Sequence, residues 1–274
     1  MCTQRHAALP MVFSARSRLR PAVIVLAPLT LLLAGAGLRA QDETKRTRSA
    51  PPVIQSSWDD LLEGIRTADD WQARREVLKR RYLELIRDDQ KPARPPLDLQ
   101  EHESTAVEGL YTRKLISYQV EADERAHAYL GIPLNLSGKA PAIVALHGTT
   151  AQGKEQTAGL SGNPDKAFLD FYCRRGYIVI SPDHFVAGHR LPAEGAYVTQ
   201  RFYEKHPQWT AVGKFTFEHS IAIDVLQSLS QVDPQRIGAL GHSLGGHGTY
   251  FLAAYDERIK RSEERRVGKE CRSR

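Results

Sequence analysis

The chain has 274 residues, with 38 Lys and Arg against 32 Asp and Glu and a formal net charge of +6. The excess is confined to the ends: residues 1–40 carry +5 and residues 261–274 carry +3, which leaves −2 for residues 41–260. The body therefore offers no net basic field to steer a polyanion, and a nucleic-acid partner is excluded on charge.

At the N-terminus, Arg16, Arg18 and Arg20 precede an uncharged apolar run from Pro21 to Gly37, closed by small residues before Gln41. This is the order of a secretory signal peptide, residues 1–40, with cleavage expected after Ala40 and a secreted or periplasmic mature chain. Pro28 and the shortness of the run disfavour an uncleaved anchor helix, so no membrane contact is expected after cleavage. Residues 41–57, rich in charge and proline, have the composition of a linker. Over residues 58–96 the period becomes helical. Trp58, Leu61, Leu62 and Ile65 share one face, and Thr67 and Asp70 have the spacing of a capping box. Trp71, Leu78, Tyr82 and Leu85 then repeat along a second helix, where the tryptophan is expected to pack. Pro92, Pro95 and Pro96 end the segment.

From Tyr111 the pattern turns to strands. Leu115–Val120 and Ala126–Ile132 alternate on either side of a polar turn at 121–124, the signature of a hairpin. Ala142–Leu146, Tyr177–Ile180 and Arg236–Leu240 are short apolar runs, as in strands buried on both faces of a parallel sheet. Helices are expected at Asp165–Arg175 and Thr216–Ser230 between them. The order predicts an α/β, doubly wound, mostly parallel sheet over residues 97–260, with functional loops at the strand C-termini after His147, Ser181 and His242.

The richest motif is Gly241-His242-Ser243-Leu244-Gly245-Gly246, which follows an apolar strand and opens a helix at Thr249–Tyr255. A strand-turn-helix with serine at the tip is the context of a nucleophile elbow, whose crowded backbone has no room for a Cβ at Gly241 or Gly245. Cys173 is the lone cysteine of the mature body, Cys2 and Cys271 lying in the signal and tail, and it reads as a buried small hydrophobe. No C-x-x-C or H-x-x-x-H spacing supports a metal site, and no cofactor is expected.

With Pro141–Thr149, Ser181–His184 and Asp233–His247, these residues resemble an α/β-hydrolase of the dienelactone hydrolase and acetyl xylan esterase-like branch. The resemblance implies a serine esterase with Ser243 as nucleophile. It implies oxyanion donors at the backbone N–H of Leu244 and in the loop after His147, at Thr149 with Gly148 as the alternative. A small-molecule or polysaccharide ester would be the substrate; oligomeric state and substrate-binding residues stay open. His147 reads as a structural loop contact, His242 and His247 as poor candidates for a base, and Asp183 as a turn residue. His184, His189 and Arg190 either shape the substrate pocket or lie on a solvated loop, and Trp209, Phe215 and Phe217 are expected in the core. A prolyl-oligopeptidase-like peptidase and a non-catalytic hydrolase-fold binding protein are the rival readings.

Residues 261–274 break the pattern. They are strongly charged, show no strand periodicity and resemble in-frame translation of sequencing-adapter DNA. The hydrolase order is Ser, then Asp or Glu, then His, yet no histidine follows His247. The domain is accordingly expected to be incomplete, with residues 261–274 non-native, the strand ending at Leu240 left as an apolar edge, and the chain as given inactive.

Overall fold

In the computed structural model the described residues are 62–265. The expected signal peptide, the linker, most of the first helix and residues 266–274 lie outside them.

Helix α1 (Ala68–Leu85) begins at the expected capping box. The Thr67 hydroxyl accepts from the Asp70 N–H, and the Asp70 carboxylate accepts from the Thr67 N–H. Such a cap contributes about 1 kcal/mol. The helix does not bury the residues its pattern suggested: Trp71 and Leu85 are exposed. It docks instead through Tyr82, whose hydroxyl donates to the Phe251 carbonyl at 3.2 Å and whose ring stacks on Phe251.

Seven strands follow: β1 (Gln100–Val107), β2 (Tyr111–Glu121), β3 (Glu124–Pro133), β4 (Ala140–Leu146), β5 (Ile178–Pro182), β6 (Val232–His242) and β7 (Ile259–Arg265). They form one sheet in the order β1-β2-β3-β5-β4-β6-β7. The β2–β3 hairpin is antiparallel as expected, and β5, β4, β6 and β7 are parallel. β1 had no apolar signature to betray it, because seven of its eight residues are exposed. The helices are α2 (Lys154–Ala158), α3 (Phe168–Cys173), α4 (Gln200–Lys205), α5 (Ala211–Ser228) and α6 (Leu244–Tyr255). Two ends moved from their expected places for local reasons. A turn of 3-10 helix at Pro164–Lys166 delays α3, and the Thr210 hydroxyl caps α5 five residues early.

Alternation on the central strands divides the core in two. Ala142, Val144 and Leu146 of β4 face α5 and α6, with Ile221, Val225 and Leu252. Ile143 and Ala145 face α2 and α3, with Ala158, Leu169 and Cys173. Helices on both faces of a parallel set make a doubly wound α/β sheet. Trp209, Phe215 and Phe217 belong to the first core, as the sequence suggested.

One expectation is corrected at the far edge. The segment from Arg261 pairs in parallel with β6, Gly238 opposite Arg261 and Gly241 opposite Glu264, so the strand ending at His242 is interior rather than an edge. Backbone hydrogen bonding needs no apolar side chain, and residues 260–263 are exposed. A sequence-only search for periodic hydrophobicity could not find a strand of this kind.

Candidate functional site

Strands β4 and β6 end together. Leu146 pairs with Gly241, so the loop starting at His147 lies beside the turn at His242 and Ser243. The chain passes from β4 to β5 on one side and returns to β6 on the other, and the crevice at such a reversal is where open α/β sheets bind ligands.

Ser243 joins β6 to α6 with φ 58° and ψ −118°, a backbone conformation that residues with a Cβ rarely adopt. Its side chain does not cap the helix, which leaves the half-buried hydroxyl at the tip of the turn. The flanking glycines make the turn possible. A Cβ on Gly241 would run into the Gly245 carbonyl, and one on Gly245 into the carbonyls of Leu146 and His147. The start of α6 is thereby pressed against the end of β4. This brings the first N–H groups of the helix, Leu244 among them, to the loop that carries Thr149.

That loop is fixed atom by atom. The Gly148 N–H donates to Gln156 Oε1 at 3.2 Å, and the Thr150 N–H donates to the Tyr197 hydroxyl at 2.9 Å. The same hydroxyl lies 3.0 Å from the Gly148 carbonyl and 3.1 Å from that of Thr150. Thr149 lies exposed between them, and neither contact engages its N–H. Of the two positions open in the sequence, Gly148 has its donor already engaged. Gln156 and Tyr197 carried no sequence signal, since each acts through a contact across the loop.

Behind the loop lie three buried histidines. His147 Nε2 accepts the His184 backbone N–H at 3.1 Å, so its Nδ1 carries the proton and donates to the Gly148 carbonyl at 2.8 Å. His184 Nε2 donates to the His147 carbonyl at 2.8 Å, which leaves its Nδ1 to accept from His219 Nε2 at 3.2 Å. Burial disfavours a charge on each ring. It lowers His147 to about 4 and, together with His147 and Arg190 nearby, His219 to about 3. His184 is held well below the usual imidazole range by burial and by its two neighbours. All three are neutral struts, which agrees with the structural reading of His147. His247 is exposed and its Nδ1 lies 3.1 Å from the Ser243 carbonyl, folded onto its own helix.

Of the loop after β5, residues 183–187 are buried and His189 is exposed. Asp183 and Lys154 form an ion pair at 2.7 Å with both side chains fully buried, and His189 Nδ1 lies 2.5 Å from the same ammonium. Asp183 also accepts from the N–H groups of Lys154 and His189, more than the turn role read from sequence. Arg190 is buried between Glu124 and Glu218. Among the described residues, Glu121, Glu124 and Glu218 are grouped closely enough to hold a cation. The Lys214 ammonium already takes that place, touching Glu121 and standing 2.8 Å from each of the other two.

One cleft follows the α3 face of β6 and β7, lined by Ile143, Tyr172, Tyr177, Leu240 and Arg261, a second continues past Phe168 and Gly241, and a third lies beside Tyr111, Arg113, Gly159 and Asp170; Ser243 lines none of these three.

The acetyl xylan esterase (AXE1) family matches residues 88–264. The chain is 31% identical over 169 residues to YtaP of Bacillus subtilis (strain 168), a protein named as a hydrolase, covering 60% of this chain and 54% of that one. Its fold is similar to that of a Bacteroides fragilis NCTC 9343 protein named as an acetyl xylan esterase, at TM-score 0.62 and 20% identity, over 71% of this chain and 53% of the other. A glucuronoyl esterase from Solibacter usitatus superposes at TM-score 0.51 and 20% identity, over 71% and 58%. The chain thus spans about half the length of the relatives it matches. On its own elbow, sheet order and family match, the chain belongs to the acetyl xylan esterase family, AXE1, on the α/β-hydrolase fold.

Proposed function

We propose that this chain carries the nucleophile and oxyanion donors of a secreted or periplasmic carboxylic-ester hydrolase that removes acyl groups, acetyl foremost, from a polysaccharide or small acylated sugar. The observation that carries this reading is Ser243 at a positive φ between β6 and α6, next to the loop that leaves the Thr149 N–H unengaged. Ser243 Oγ attacks the ester carbonyl and forms an acyl-enzyme as the bond to the sugar oxygen breaks; the serine proton passes through the general base to that oxygen, and the sugar leaves as its alcohol. The N–H groups of Leu244 and Thr149 receive the oxyanion; each such donor contributes roughly 3 kcal/mol to the transition state. The kinship supports the ester substrate, because B. fragilis and S. usitatus proteins of this fold are named as esterases. Among the described residues no helix is long and apolar enough to cross a membrane.

The base and acid of the reaction are not assigned to residues of this chain. His247 folds onto its own helix, and His147, His184 and His219 are committed to the scaffold. An esterase of full family length containing this chain is expected to hydrolyse p-nitrophenyl acetate and to react with a fluorophosphonate probe. Labelling that survives Ser243→Ala would sink the assignment.

A further inference from the structure

We infer that Tyr197 is the positioning residue of the oxyanion hole: its hydroxyl holds the Gly148–Thr150 turn so that the Thr149 N–H points at the nucleophile. The inference rests on the reading of Ser243 given above and deepens it. Tyr197 arrives from the loop after β5, 47 residues beyond Thr150 in sequence. Its hydroxyl is surrounded by three backbone atoms of one turn: it accepts from the Thr150 N–H and reaches the carbonyls of Gly148 and Thr150. A hydroxyl has one hydrogen and two acceptor lone pairs, so one carbonyl receives its proton while the Thr150 N–H occupies a lone pair.

Two features separate this contact from ordinary loop packing. Tyr197 has φ 66°, a conformation uncommon for a bulky side chain, which the surroundings must hold in place. Its own N–H is tied to the Val186 carbonyl at 3.1 Å, which anchors the ring from behind. Both neighbours of Thr149 thus have their N–H groups engaged, one by Gln156 and one by Tyr197. A donor flanked in this way needs little reorganisation as negative charge develops.

The decisive variant is Tyr197→Phe, which keeps the ring and removes the hydroxyl. In an esterase of full family length containing this chain, kcat is expected to fall between about 10- and 100-fold, below the loss caused by deleting a donor outright, with KM within about twofold. A kcat within twofold of the unsubstituted enzyme would overturn the inference, as would a loss carried by KM alone. Ser243→Ala is run in parallel. If it stays active, the nucleophile assignment fails first; if it is dead while Tyr197→Phe is unimpaired, only the Tyr197 inference fails. Hydrogen exchange on the unsubstituted protein gives a reading that no folding defect can blur. The Thr150 amide is expected to be protected and the Thr149 amide to exchange at least tenfold faster, and equal rates would refute the clamp.

Discussion

The buried histidines behind the site make the fold sensitive to mild acid. In the unfolded chain each imidazole titrates near 6.5, while in the fold His147 titrates at about 4 and His219 at about 3. Between these limits the unfolded chain binds the proton and the native one does not, so stability is present above pH 6.5 and is lost as pH falls toward 4 and 3. Lowering the pH from 7 to 5 costs about 2 kcal/mol for each of the two rings, or about 4 kcal/mol together. His184, depressed by the same burial, adds to the loss. Against a total stability of roughly 5–15 kcal/mol this is a large fraction. Urea unfolding followed by tryptophan fluorescence at pH 7, 6 and 5 measures it, since Trp209 is buried in the adjoining core. The carboxylates paired in the native state protonate mainly below this range, so the histidines dominate it. Replacing both rings by amides, His147→Gln with His219→Asn, should lower stability at pH 7 and flatten the slope. A stability that changes by less than 1 kcal/mol from pH 7 to 5, or an undiminished slope in the double variant, would refute the linkage.

Other substitutions probe separate parts of the fold. Gly245→Ala drives a Cβ into the carbonyls of Leu146 and His147, and is expected to cost about 3 kcal/mol or more, read as a lower urea midpoint or loss of soluble protein. Lys154→Met strands the buried Asp183 carboxylate and should cost about 3–5 kcal/mol in the same titration; the double variant with Asp183→Asn should recover part of it. Thr67→Ala removes the α1 cap for about 1 kcal/mol, a fall in melting temperature of about 2–4 °C by calorimetry. Tyr82→Phe deletes the bond to the Phe251 carbonyl and is expected to cost about 1 kcal/mol, a loss that should vanish if α1 has first been removed.

What the sequence made legible was whatever is encoded locally. The elbow could be read because one pentapeptide sets both its constraints, the positive φ at Ser243 and the closeness of Gly241 to Gly245. The capping box, the hairpin and the central strands were legible for the same reason, as each is a short pattern with a fixed period. Tyr197, Gln156 and Lys154 were not. Their chemistry depends on partners brought near by the β4 and β5 crossovers, and no spacing rule links Tyr197 to Thr150. Trp71 shows the opposite error, an apolar residue at helical spacing that the tertiary structure leaves exposed.

The same distinction explains β7. A parallel strand covered on both sides reads as an apolar run because each face must be buried. Among the described residues β7 is paired on one side only, by β6, and residues 260–263 are exposed. Ile259 is the residue that ties it to the α5 and α6 core, standing opposite Ile237 in the register. Backbone pairing with β6 and the Ile259 side chain both hold β7. Its amides should exchange ahead of those of β6, whose Ile237 and Ala239 are buried in the same core.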